Sequence, residues 1–130
     1  MQTIVFIDID EIIDIHALLI HETGGSHGLR DQALLESATV QPRMTFGGAY
    51  IHKTIFLMAA TYLFHLIKNH PFVDGNKRTG IFIAINFLEL NGYEVKATKA
   101  QLYRLTINTA TSKISKPDIA AFLKRHSKKC

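Results

Sequence analysis

The stretch "HPFVDGNKRTG", His70 to Gly80, sets a histidine, a carboxylate, an amide and two cations directly after an apolar run. Helical character resumes at about Asn76, and the first turn of a helix leaves backbone N–H groups without intrahelical partners. Such a turn is a ready anion site. Lys77 and Arg78 add two cations to it although the helix macrodipole disfavours them there. That choice makes sense when a polyanion, phosphate above all, lies over the turn. Asp74 offers a hard oxygen for Mg²⁺, which reaches proteins through one or two carboxylates and takes its other ligands from phosphate and water. The same carboxylate equally suits a helix N-cap accepting from the Asn76 or Lys77 N–H. His70, with an ordinary pKa near ~6.5, suits a general base for a hydroxyl; its structural alternative is to cap the carbonyls of the preceding helix. Gly75 lets a ligand approach the backbone closely, and Pro71 and Phe72 hold the loop rigid.

The elements that must position these residues read as helices. Asp8 with Glu11 forms a capping box that opens a helix through "DIDEIIDIHALLIHE", stopped by "TGG". A second helix runs from about Arg30 to Thr39 and ends before Pro42. In "RMTFGGAYIHKT" paired glycines between aromatic and β-branched residues predict a hairpin-like flap around Phe46, Gly47, Gly48 and Tyr50. From Lys53 to about Lys68 the chain is apolar nearly all round, as a central bundle helix would be, and Pro71 predicts its end near Asn69. The next helix runs to the Asn91–Gly92 C-cap, with Gly80 a mild defect inside it. An extended "YEVKA" could pair with the N-terminal "TIVFI" or with the flap. Thr98 with Gln101, and Ser115 with Pro117 and Asp118, open two more helices. The expected fold is all-α: one compact helical bundle over residues 1–130 carrying a short β-hairpin-like flap.

Composition narrows the function classes. A chain of 130 residues with 47% hydrophobic and 20% charged residues can bury a core without crosslinks. The single cysteine, Cys130, excludes an internal disulfide and suits a reducing cytoplasm. The longest apolar stretch, "IFLMAATYLFHLI", is too short to span a bilayer comfortably, and no secretory signal pattern opens the chain, so a cytoplasmic protein is expected. The net charge of +4 hides a polarity: the first 40 residues hold seven acids against Arg30 alone, and the end of the chain from Lys113 is basic. Without base-reading motifs or interleaved aromatics, that end reads as a solvated face and a frayed terminus rather than a nucleic-acid surface. His16, His21 and His27 lack the four-residue spacing that sets two metal ligands on one helix face. His65 reads as a hydrogen-bonded core histidine, and Asn91 as a capping residue.

"HPFVDGNKRTG" resembles the signature of the Fic/Doc superfamily, whose Fic branch reads H-P-F-x-D/E-G-N-G-R-x-x-R. "HETGG", "GLRDQALLESA", "FGGAY" and "FLELNGYEV" occur in the order seen in the death-on-curing (Doc) branch, so that the resemblance covers roughly residues 21–95. It implies a helical fold with a nucleotide site in the motif loop. There His70 would be the general base, Asp74 the Mg²⁺ ligand, and Gly75, Asn76, Lys77 and Arg78 the holders of ATP phosphates, Lys77 and Arg78 also taking part in transfer. The flap would align the target by strand-like pairing. Lys77 stands where the Fic branch has its second motif glycine, and Ile81 where it has its second arginine. The lysine is characteristic of the Doc branch and implies transfer of the γ-phosphoryl to a Ser or Thr hydroxyl, with AMP transfer as the alternative. It also implies a toxin that acts on translation elongation factor Tu to halt translation and is neutralised by a partly disordered antitoxin. A non-catalytic module that binds antitoxin or nucleic acid is the reading from another class.

Overall fold

A computed structural model of the chain describes residues 3–130. Within it the helices begin where local capping chemistry places them. Helix α1 (Ile9–Thr23) starts at Asp8, whose N–H donates to Glu11 Oε1 at 3.4 Å, and ends at Gly24. Helix α2 (Gln32–Val40) is capped by the Asp31 carboxylate accepting from the Leu34 N–H. A single 3-10 turn (Gln41–Arg43) follows, then strands β1 (Thr45–Phe46) and β2 (Ala49–Tyr50), the flap predicted from the paired glycines. Gly47 and Gly48 both have positive φ, +60° and +81°, as a tight two-residue hairpin turn requires.

Helix α3 (Ile55–Lys68) is the central element: eight of its residues, among them Tyr62, Leu63 and Leu66, are buried. It packs most extensively against α4 (Asn76–Leu90) and α6 (Lys116–Arg125). Gly80 of α4 is less a defect than a fitting piece, because a Cβ there would lie 3.3 Å from both Ile67 Cγ1 and Leu63 Cδ1. Its bare backbone lets α4 close on α3. Helix α5 (Lys99–Ala110) opens with the Thr98–Gln101 box, and α6 with the Ser115–Asp118 box. Among the described residues no helix is long and apolar enough to cross a membrane.

Three expectations are corrected. Strand β3 (Tyr93–Val95) pairs neither with the N-terminal segment nor with the flap; it runs antiparallel to β4 (Ser127–Lys129), with Glu94 opposite Lys128. The last residues of the basic end are therefore a registered strand and not a frayed terminus, while Lys124 and Arg125 stay exposed on α6 as a solvated face, and the Cys130 N–H donates to the Gly92 carbonyl at 2.8 Å. The N-terminal segment is held by side chains instead. Asn91 exchanges two hydrogen bonds with the Val5 backbone, both 2.9 Å, while the buried Tyr62 hydroxyl accepts from the Ile7 N–H at 3.0 Å and donates to its carbonyl at 3.2 Å. Burial pushes that phenol up to about 12. His65, expected to be hydrogen-bonded, instead has its buried Nε2 without a partner among the described residues. Burial, aided by nearby Lys116, pushes its ring down to about 4, so it stays neutral at neutral pH.

Phe87 joins the two ends of this core. It is fully buried, 5.2 Å from the Tyr62 ring centroid and 5.7 Å from that of Phe6. Phe87→Ala is expected to cost roughly 3–5 kcal/mol, read as a lowered urea midpoint at unchanged m-value.

Candidate active site

The loop joining α3 to α4 is built from its own sequence. His70 leaves the helix in the left-handed region, with φ +50°, an uncommon conformation for a residue with a side chain. Phe72 is buried, and the Asn76 side chain folds back on it: Oδ1 accepts from the Phe72 N–H and Nδ2 donates to its carbonyl, each at 2.9 Å. The amide of Asn76 is thus spent on holding the loop, and what it offers a ligand is its main-chain N–H. Gly75, at φ +79°, is the N-cap of α4 and brings no side chain to it. The first helical bond at this end runs from Thr79 N–H to the Gly75 carbonyl, which leaves the N–H groups of Asn76, Lys77 and Arg78 uncapped. Lys77 and Arg78 are exposed on the same turn, and Arg78 Nη1 donates to the Gly24 carbonyl at 3.1 Å.

A second loop, residues 24–31, braces the first. Leu29 and Phe72 form an antiparallel bridge, and the Val73 N–H donates to the Gly28 carbonyl at 3.0 Å. Arg30 carries the larger part of the work. Its N–H reaches the Pro71 carbonyl at 2.7 Å, its Nε the His70 carbonyl at 2.6 Å and its Nη2 the Asn69 carbonyl at 3.0 Å. Three consecutive carbonyls at the end of α3 are gripped by one residue, and this fixes the strained backbone under the exposed His70 ring.

Asp74 is not the helix cap it could have been. Its Oδ1 accepts from the Gly75 N–H at 2.8 Å and its Oδ2 from the Ser26 N–H at 3.0 Å, and neither oxygen serves the Asn76 or Lys77 N–H. The Ser26 and Gly75 amides hold this exposed carboxyl below the usual range, so it is ionised at neutral pH. Among the described residues no group of three or more His, Cys, Asp or Glu converges as a metal cage. An ionised, solvent-facing carboxylate beside uncapped amides fits Mg²⁺ that arrives with phosphates, the mode in which this cation needs only one protein ligand.

His16 is the residue that sequence reasoning missed beneath this site. It is buried, lies flat on the Phe72 ring at 3.7 Å and 5° between planes, and its Nε2 sits 2.8 Å from the Asp74 carbonyl oxygen. A carbonyl only accepts, so Nε2 carries the proton and the ring donates. Burial lowers its pKa and keeps it neutral. Gly25 completes the packing: it has φ +117°, and a Cβ there would lie 2.6 Å from Asp74 Oδ2.

In front of these groups lies a cleft of about 440 Å³. One wall is Asp74 to Arg78 with Ile81; the other is α5, through Lys99, Leu102, Tyr103 and Thr106. No local pattern marked α5 as part of the site, because its helical periodicity reads equally well as plain packing. The structure brings Asp74, Gly75, Asn76, Lys77 and Arg78 together on the cleft. His70 stands at the other end of the same loop, exposed. No hydrogen bond joins the flap to this loop among the described residues; Tyr50 rests on Phe6 at 5.6 Å, and Phe46 is 83% exposed.

The chain belongs to the Fic/DOC family, which it matches over residues 6–88. It is similar to the Protein kinase doc of Escherichia phage P1, with 36% identity over 119 residues, 89% of this chain and 90% of that protein. It is also similar to the Toxin Doc of Mycolicibacterium smegmatis, with 39% identity over 74 residues, 57% of each chain.

Proposed function

We propose that the chain is the toxin of a toxin–antitoxin pair and a protein kinase that transfers the γ-phosphoryl of ATP to a Ser or Thr hydroxyl of elongation factor Tu, halting translation. The observation that carries this reading is the uncapped first turn of α4 with Lys77 and Arg78 exposed upon it and Asp74 ionised beside it. Likeness to a Protein kinase doc across nine-tenths of the chain supports it.

In this mechanism the amides of Asn76, Lys77 and Arg78 hold phosphate oxygens, and the two side-chain cations neutralise the charge that spreads over the transferred group. Mg²⁺, held by Asp74 and the phosphates, would supply the rest of that neutralisation. The target hydroxyl gives its proton to His70 as its oxygen bonds to the γ-phosphorus; the bond from that phosphorus to the β,γ-bridging oxygen breaks, and ADP leaves. The Arg30 grip on the His70 carbonyl keeps the ring where the proton must go. The flap presents two open strand edges and the bare Phe46 ring for the target segment. A cognate antitoxin, partly disordered when free, is the regulating partner.

Incubation of the protein with elongation factor Tu, Mg²⁺ and ATP labelled at either the α or the γ position tests the reading. Label on the factor from the γ position alone is the expected result. Label from the α position instead assigns AMP transfer, and label from neither overturns a transferase acting on this target.

A further inference from the structure

Three side chains of α1 are buried, Ile12, His16 and Ile20, each four residues after the last. They form one stripe, since residues four apart lie on the same helix face. Its two ends are isoleucine, the kind of side chain that packing alone favours. The middle is an imidazole, 4% exposed, which has given up water for a single hydrogen bond among the described residues, from Nε2 to the Asp74 carbonyl. That carbonyl is one end of the Asp74–Gly75 peptide. The other end is the Gly75 N–H, which donates to Asp74 Oδ1 at 2.8 Å. A trans peptide points its C=O and N–H to opposite sides. The ring on one side and the carboxylate on the other therefore fix a single plane.

Glycine accepts either sign of φ, so with Gly75 at φ +79° this plane is free to turn over unless something holds it. Turned over, it takes the N–H from the carboxylate and sets a carbonyl oxygen in its place. The ring that opposes this is itself braced: it lies flat on Phe72, and Asn76 clamps Phe72 at both its N–H and its carbonyl. Gly75 leaves the ring room, since a Cβ there would fall 3.6 Å from His16 Nε2 and 2.9 Å from Ile20 Cδ1. We propose that His16 is a positioning residue, its Nε2–H locking the Asp74–Gly75 peptide in the orientation that presents the Gly75 N–H to the Asp74 carboxylate. Hydrogen bonds in series polarise one another, so donation to the carbonyl also strengthens the bond made by the N–H of the same peptide. The imidazole acts on the carboxylate through one peptide unit and not by contact with substrate. Its effect on transfer rests on the Mg²⁺ role proposed above for Asp74; the lock itself does not.

The amide resonance of Gly75 in the whole protein, without nucleotide or metal, reads the lock directly. His16→Phe keeps a flat ring on Phe72 and removes the donor, whereas His16→Gln returns an amide N–H at the reach of Nε2. Ile12→Ala, one turn earlier on the stripe, loosens the core and removes no side-chain hydrogen bond. The Gly75 amide proton is expected to move upfield in His16→Phe and to keep its place in the other two. In transfer assays across a Mg²⁺ series, His16→Phe is expected to raise the concentration for half-maximal rate about tenfold, the low end of what partners that orient a metal ligand contribute. The rate at saturating Mg²⁺ falls less, and His16→Gln stays close to the unsubstituted protein. His16→Asn, whose amide stops a methylene short of the carbonyl, repeats the test if the phenylalanine variant does not fold. A Gly75 signal that stays in place without the donor overturns the proposal, as does a Mg²⁺ requirement that Ile12→Ala raises equally. A chain whose Gly75 signal moves as expected but which transfers neither label keeps the lock and loses the kinase.

Discussion

His70→Ala is expected to lower phosphoryl transfer by roughly two to four orders of magnitude, the range that a positioned general base supplies. The melting temperature should hardly move. The ring is exposed and makes no hydrogen bond among the described residues, and truncation of such a side chain changes stability by about 0.5 kcal/mol or less, with a little more for alanine in the left-handed region. Labelled transfer in single turnover, beside a melting curve of the same preparation, separates the two effects. A variant that keeps full activity removes His70 as the base and leaves the anion site standing.

The second large effect lies at a residue without a side chain. Gly25→Ala is expected to reduce transfer at least tenfold and to raise the Mg²⁺ concentration required, because the new methyl would stand 2.6 Å from Asp74 Oδ2 and the carboxylate must leave the Ser26 and Gly75 amides. Strain at φ +117° adds about 1–3 kcal/mol of instability. Gly92→Ala supplies the control: it has φ +91°, and a Cβ there meets nothing within 4 Å. It carries backbone strain without the clash and lies at the far end of α4. Rates measured across a Mg²⁺ series should fall for the first variant and hold for the second; equal losses would mean that general loosening, not displacement of Asp74, is at work.

Much of what depends on neighbours in sequence was legible there, although the Asn76 clamp on Phe72, only four residues long, was not. The Asp8–Glu11, Thr98–Gln101 and Ser115–Asp118 caps, the Gly47–Gly48 turn and the all-round apolar α3 are each decided within a few residues. So was the uncapped first turn of α4 with its two exposed cations, since Gly75, Lys77 and Arg78 fall within four residues. What escaped otherwise were partnerships across the chain. His16 meets Asp74 at a separation of 58 residues, and Arg30 meets His70 at 40. Histidine on an amphipathic helix and arginine before a helix carry no local sign of those partners. Strand β3 was recognised as extended, but pairing is chosen by what the completed bundle places beside it, and α6 delivers Ser127–Lys129 there.

The grip of Arg30 on three carbonyls, together with the Leu29–Phe72 bridge, has a consequence for how the site breathes. Two loops that each would fray alone share one set of hydrogen bonds, so neither can open without the other. Local opening then becomes a single cooperative event whose free energy belongs to the pair. A ligand that binds only the closed arrangement stabilises residues 24–31 as much as the loop it touches. Order at His70 is in this sense set by the α1–α2 connection, a segment that reaches that ring through the backbone it restrains.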